Sequence, residues 1–120
     1  MDNIKFADYG QERELNATDG EIEIFNLIKK ILEADDVDTS RIKLVRKSKN
    51  YVTVIVSFED PCQLDLARIK YTNLSRWIWT SFDGKVQIDS VEDTNNLSEA
   101  FINDYRQHID WMEESYPELL

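Results

Sequence analysis

Apolar residues in the first third of the chain recur with the period of an α-helix. Within TDGEIEIFNLIKKILEADD they follow at one, four, seven and eight positions after the first, which defines one wide helical face. This face consists of Ile24, Phe25, Ile28, Ile31 and Leu32. Thr18 and Glu21 have the spacing of a capping box, in which the two side chains bind the first free backbone N–H groups. The pattern predicts a helix over residues 19–34.

The period then shortens to two, which is typical of β-strands. In RIKLVRKSKNYVTVIVSF, a polar KSKN turn separates two strands whose common face carries Ile42, Leu44, Val52, Val54, Val56 and Phe58. Further strands follow in LDLARIKY and RWIWTSF, and Asp83-Gly84 is a turn signal that would return KVQI as an edge strand. Because each linker is too short for a crossover, we predict an antiparallel meander of about five strands.

Strand alternation also divides the side chains of LDLARIKY between two faces. It predicts that Ala67, Ile69 and Tyr71 point toward the core, and that the opposite face carries Leu66, Arg68 and Lys70.

A second helical period closes the chain. Its apolar face carries Leu97, Phe101, Tyr105, Ile109 and Met112. Asn96 and Glu99 repeat the capping spacing, and Pro117 should end the helix near ESYP because the residue before a proline avoids helical geometry. The order helix, meander, helix predicts an α+β fold with both helices packed on one sheet face and the other face solvated.

The length of 120 residues suits one domain. We predict an N-terminal arm over residues 1–17, a single α+β domain over 18–117 and a tail over 118–120. The first ten residues lack the basic and apolar regions of a signal peptide, no apolar run approaches about 20 residues, and Cys62 is the only cysteine. We therefore expect a cytoplasmic protein without a membrane partner or an internal disulfide.

Charge is distributed unevenly along the chain, whose formal net charge is −10. Residues 1–40 carry a net charge of −7 and residues 89–120 carry −8, whereas residues 41–88 carry +5. A strongly acidic chain is a poor candidate for bulk electrostatic binding to DNA or anionic lipid. The segments instead predict a cationic sheet between anionic helices.

The sequence contains no recognisable catalytic constellation. His108 is the only histidine, and no pattern pairs it with Cys62, so nucleophilic catalysis lacks a positioned base and a structural zinc site lacks ligands. No spacing singles out a carboxylate pair among the 24 acidic residues. We predict a structural histidine, an incidental cysteine, no catalytic residue and therefore no enzyme.

The DDVDTS segment at residues 35–40 alternates acids like the start of a calcium loop. Arg41 stands where that loop needs glycine, and Lys47 stands where it needs glutamate. We therefore predict a solvated acidic linker. The chain also lacks a Gly-rich phosphate loop, so no metal site and no cofactor are predicted.

The stretch ARIKYTNLSRWIWTSF combines cations with aromatic rings, as surfaces that bind single-stranded nucleic acid do. The candidate binding residues are Lys49, Tyr51, Arg68, Lys70, Arg76, Trp77 and Trp79. The alternative is the stronger expectation, because aromatic residues are common in the cores of sheets. In that alternative the two tryptophans pack beneath a helix, and the cations pair with the acidic helices.

The same central region resembles a known bacterial domain. It is similar to the small domain that follows the nuclease core in proteins with a type I restriction enzyme N-terminal (R-subunit-like) domain. The resemblance covers about residues 19–115 and rests on Arg41-Ile42, Lys49 with Tyr51, Arg68-Ile69, and Arg76 with Trp77-Ile78. Ala67 departs from it, since the relatives often have cysteine there. No nuclease core precedes residue 19, so the resemblance implies a stand-alone accessory or binding domain without nuclease activity.

These observations predict a non-enzymatic interaction module that acts on a protein partner in a nucleic-acid or defence setting, as in a phage or mobile element. One alternative is an acidic inhibitor that mimics DNA through carboxylates of the terminal helix, among them Glu99, Asp104, Asp110, Glu113, Glu114 and Glu118. A second alternative is a domain that binds single-stranded nucleic acid through the sheet. The edge strand at residues 85–88 would also permit homodimers by strand pairing.

Overall fold

The structure, a computed structural model, describes residues 5–8, 11–14, 16–58 and 63–119. In chain order its elements are β1 (Lys5–Asp8), β2 (Gln11–Glu14), α1 (Asp19–Ala34), β3 (Ile42–Val45), β4 (Val52–Ser57), β5 (Gln63–Tyr71), β6 (Arg76–Thr80), β7 (Gly84–Gln87) and α2 (Ser98–Ser115). Three short 3₁₀ helices cover Thr39–Arg41, Val91–Leu97 and Pro117–Leu119.

The five strands β3 to β7 form an antiparallel sheet in the order of the chain. The predicted α+β class, the helix over residues 19–34 and the five-strand meander are confirmed. Strands β1 and β2 form a separate antiparallel hairpin, where the sequence predicts only an irregular arm. KFAD places Phe6 and Ala7 side by side, and QERE contains no apolar residue, so neither segment shows a period of two.

Both helices pack on one face of the sheet, as predicted. The core cluster unites α1, α2 and alternate residues of four strands, and its fully buried members include Ile24, Ile28, Leu32, Val54, Ile69, Ile78, Phe101 and Met112. Burial of each such side chain contributes about 1.5–3 kcal/mol. Ala17, at the end of the predicted arm, is also fully buried in this cluster.

A β-bulge shifts the register between β4 and β5. Val54 pairs with Ala67, but Ile55 pairs with Asp65, so Leu66 is the extra residue. Leu66 is fully buried in the core cluster, and the prediction that it lies opposite Ala67 is wrong. A bulge inserts one extra residue into a strand, so two consecutive side chains can point to the same face. Strict alternation does not anticipate this.

The start of α2 also differs from the prediction. Asn96 lies within the preceding 3₁₀ helix, and α2 begins at Ser98 without a side-chain cap on its first residue. Asp93 instead accepts hydrogen bonds from the backbone N–H groups of Asp89 (2.8 Å) and Ser90 (3.1 Å). These bonds lower the pKa of the Asp93 carboxyl below its ordinary 3.8. Their stabilisation is complete above the unfolded pKa and is lost as the pH falls through the folded pKa.

The predicted capping box of α1 forms, and it also attaches the helix to the sheet. Glu21 N–H donates to Thr18 Oγ1 (3.1 Å), and Thr18 N–H donates to Glu21 Oε1 (2.9 Å). The same two side chains bind the end of β5, because Thr18 Oγ1 donates to the Tyr71 carbonyl (2.7 Å) and Tyr71 N–H donates to Glu21 Oε2 (3.0 Å). The helix start and the β5 end are therefore fixed to each other.

Candidate functional site

The register of the sheet decides which side chains lie opposite the helices. Ile69 and Ile78 face each other across β5 and β6 and belong to the core cluster. Their neighbours along each strand must point to the other face. These neighbours are Arg68, Lys70, Trp77 and Trp79. The expectation that the tryptophans pack beneath a helix is therefore wrong.

Two further residues complete this surface. The ring centroid of Tyr51 lies 5.8 Å from that of Trp77, and Lys85 pairs with Trp79 in the β6–β7 register. We call this surface the basic aromatic face, formed by Tyr51, Arg68, Lys70, Trp77, Trp79 and Lys85. Lys85 was missed by the sequence analysis. A two-residue turn at Asp83-Gly84 would pair Lys85 with Phe82, whereas the structure pairs Gly84 with Thr80 and therefore brings Lys85 opposite Trp79.

Two cations of this face, Arg68 and Lys85, stack on its rings. The Arg68 guanidinium carbon is 4.5 Å from the ring centroid of Trp79 and 5.4 Å from that of Tyr51. Lys85 Nζ lies 4.4 Å from the centroid of Trp77. Trp77 is only 9% exposed, whereas Tyr51 and Trp79 are half-buried. Cation–π contacts at such sites contribute about 0.5–1 kcal/mol each. They therefore favour one arrangement of the side chains, but a ligand can displace them.

One carboxylate, Asp65, borders the basic aromatic face. Lys47 Nζ donates to Asp65 Oδ1 at 2.7 Å, and Arg68 Nη2 lies 3.6 Å from Oδ2. Arg68 Nε is buried without a hydrogen-bond partner among the described residues. Within the same part of the chain, Lys70 and Lys85 form no ion pair. The face therefore carries more positive charge than Asp65 neutralises.

The middle of this sheet face is apolar. Val45, Thr53 and Ile55 share it by register and are 4%, 1% and 2% exposed, respectively. Val45, Ile55 and Trp77 are buried but lie outside the main core cluster. The sheet face opposite the helices was predicted to be solvated. It is solvated at its charged positions and at the half-buried rings of Tyr51 and Trp79, but not in this apolar middle.

Arg46 positions the turn that leads to Tyr51. Its Nη1 donates to the carbonyl oxygens of Ser48 (2.9 Å), Tyr51 (3.3 Å) and Lys49 (3.4 Å). Its Nη2 lies 3.9 Å from Glu21 Oε1, so the turn is tied to the start of α1. The Lys49 side chain is exposed at the tip of this turn and does not stack on the described rings of the basic aromatic face.

Arg76 does not join the basic aromatic face. It is opposite Tyr71 in the sheet, on the side of the core layer. Its guanidinium stacks on the Tyr71 ring at 4.4 Å and donates to the carbonyls of Thr72 (3.1 Å) and Asp89 (2.7 Å). Alternation separates it from the adjacent Trp77, so grouping it with the tryptophans was an error of the sequence analysis.

The acidic residues of α2 divide into two groups. Asp104 is 1% exposed, and its carboxylate accepts hydrogen bonds from the backbone N–H and the hydroxyl of Ser81, which joins α2 to the end of β6. The other acids are exposed on α2 or just after it, namely Glu99, Asp110, Glu113, Glu114 and Glu118. The buried Asp104 was not anticipated as part of the core, because acids are almost never fully buried unless partnered.

The remaining sequence candidates have local roles. His108 Nδ1 lies against the Asp104 carbonyl one turn earlier in α2, and Cys62 lies outside the described residues. In the acidic linker, the Asp38 carboxylate accepts from Ser40 N–H at 2.9 Å, which lowers the pKa of Asp38. Among the described residues, no cluster of potential metal ligands occurs.

In the described part of the chain, neither α-helix has the length and hydropathy needed to cross a membrane. No protein-family model matches this chain. Comparison with curated proteins and with solved structures gives no significant match. The resemblance to the accessory domain of restriction proteins therefore stays a prediction.

Proposed function

We propose that this protein is a non-enzymatic interaction module whose binding surface is the basic aromatic face. The observation that carries the proposal is the stacking of Arg68 and Lys85 on Trp79 and Trp77 on one side of the sheet. The region from residue 41 to 88 has a net charge of +5 in a chain of net charge −10. A local cationic surface on an acidic protein selects a partner with an anionic contact surface.

The setting suggested by the resemblance is nucleic-acid metabolism or defence, where a protein partner with acidic patches or a nucleic acid would provide such a surface. The two helices and the adjoining 3₁₀ segments carry most of the exposed acids on the other side of the sheet. These acids repel an anionic partner from that side. The partner should therefore approach from the sheet side only.

The first test compares retention on immobilised heparin, a polyanion, at about 0.1 M salt. The Debye length is then about 10 Å, so the distant acidic helices are screened while direct contacts persist. We expect the wild-type protein to be retained despite its net charge. We expect the Arg68→Glu/Lys70→Glu variant to elute in the void volume, because it reverses two charges of the basic aromatic face.

The matched control is Lys29→Glu/Lys30→Glu, which makes the same change in net charge on α1. It should be retained nearly as well as the wild-type protein. Equal loss of retention in both double variants would show that only net charge matters, and would contradict a binding surface on the sheet.

A second candidate function is an acidic inhibitor that competes with DNA for a basic protein channel. It is supported by the exposed carboxylates of α2, among them Asp110, Glu113 and Glu114. An array of carboxylates can substitute for phosphates in an electrostatic contact. The partner suggested by the resemblance is a type I restriction enzyme.

This candidate predicts that the protein displaces labelled DNA from such an enzyme in a gel-shift competition. The Asp110→Lys/Glu113→Lys/Glu114→Lys variant should lose this effect while retaining its circular dichroism spectrum. The Arg68→Glu/Lys70→Glu variant should displace DNA as the wild-type protein does. Absence of displacement by the wild-type protein would reject the inhibitor function for this enzyme class.

A further inference from the structure

We infer that the partner of the basic aromatic face is single-stranded nucleic acid, which binds by stacking bases on Tyr51 and Trp79. This inference rests on the proposed function and names its partner class. The Arg68 guanidinium carbon lies 5.4 Å from the Tyr51 ring centroid and 4.5 Å from that of Trp79, and both rings are half-buried rather than fully enclosed. Sheets that present aromatic rings in this way can stack two or three bases.

Arg68 is weakly held over Trp79 and can give way to a base. Its ion pair with Asp65 is long, at 3.6 Å, and its Nε has no hydrogen-bond partner among the described residues. A base stacks on an aromatic ring more strongly than a partly exposed cation such as Arg68 does. A bound strand would therefore replace Arg68 on the ring, and the released guanidinium would gain a phosphate as acceptor.

Lys70 and Lys85 lie on the same face, and neither forms an ion pair among the described residues. With Arg68 they provide three cations that can follow a phosphate backbone. So few phosphate contacts predict a shallow salt dependence, with a slope of about −2 in log affinity against log salt concentration for a single strand. Stacking rather than charge should then dominate the affinity.

This division of the binding energy distinguishes a single strand from its competitors. Duplex DNA keeps its bases stacked inside the helix, so it can use the cations but not the rings. An acidic protein surface likewise pairs with the cations and gives Tyr51 and Trp79 no specific role. Only an unpaired strand offers both phosphates and free base faces.

The experiment titrates the intact protein into a fluorescein-labelled thymidine oligonucleotide of about 12 nucleotides, within the range of single-strand site sizes, and measures anisotropy. Trp79→Ala should weaken binding by about tenfold. The matched control is Trp111→Ala, since Trp111 is 46% exposed on α2, and it should bind as the wild-type protein does. Lys70→Ala should weaken binding modestly, whereas Lys30→Ala on α1 should not.

Two competitors separate the possible outcomes. The same oligonucleotide annealed to its complement, and poly-L-glutamate, should both compete poorly. Unchanged affinity of Trp79→Ala, or equal competition by polyglutamate or by duplex, would overturn the nucleic-acid inference while the face remained an anion-binding surface. If neither heparin nor the oligonucleotide bound, the proposed function itself would fail.

Discussion

Glu21→Ala is expected to destabilise the protein by about 3–5 kcal/mol, as measured by urea unfolding. Glu21 is only 3% exposed, and its carboxylate binds the backbone N–H groups of Thr18 and Tyr71 at 2.9 and 3.0 Å. Alanine would leave both donors without their acceptor. It would also leave the charge of Arg46, whose side chain is 15% exposed, without the carboxylate at 3.9 Å.

The matched control is Glu23→Ala, because Glu23 is exposed on the same helix. Removal of an exposed acid should change stability by less than about 0.5 kcal/mol. Glu21→Gln should give an intermediate loss, since an amide has only one acceptor oxygen for the two backbone donors. The urea midpoint should fall at an unchanged denaturant slope. Equal midpoints for the Glu21→Ala and Glu23→Ala variants would contradict the assigned role.

The effect of Glu21 should extend to the basic aromatic face. Arg46 connects Glu21 to the carbonyl of Tyr51, and Tyr51 provides one of the two rings assigned to base stacking. Loss of the carboxylate would release one constraint on the turn that precedes Tyr51. Glu21 therefore links stability to binding, although its side chain is almost fully buried and is not part of the basic aromatic face.

The parts of the fold that depend on local patterns could be predicted from the sequence. The capping box of Thr18 and Glu21 and the Asp83-Gly84 turn are signals contained within a few residues, and both mark real element boundaries. The start of α2 is different, because Asn96 and Asp93 both offer capping chemistry. Asp93 caps the start of the 3₁₀ helix Val91–Leu97, whereas Asn96 lies inside that helix and α2 has no side-chain cap.

The candidate site depended on information that no local pattern contains. The predicted Arg68 and Trp79 are brought together across two strands, but their contact requires the register of β5 and β6. Alternation alone could have separated Arg76 from Trp77. It did not reveal which face of β6 the helices cover, because Trp77 and Trp79 on one side and Ile78 on the other are all apolar.

Gly20→Ala is expected to destabilise the protein by about 1–3 kcal/mol, against the usual trend. In most helices this substitution stabilises by roughly 0.5–1 kcal/mol. Here an added Cβ would lie 2.1 Å from Tyr71 Cδ1, 2.7 Å from Cε1 and 2.8 Å from Cγ, whereas carbon atoms normally contact at about 3.5–4.0 Å. These atoms belong to the body of the ring.

The Tyr71 ring has little freedom to avoid this contact. Its backbone is bound on both sides by the capping box of α1, and the Arg76 guanidinium stacks on it at 4.4 Å. The effect of Gly20→Ala should therefore depend on the ring. In a Tyr71→Ala background, the same substitution should become neutral or stabilising, because helix propensity is then the main remaining term. Loss of stability of the same size in both backgrounds would exclude the ring as the cause, and would place the strain in the first turn of α1 itself.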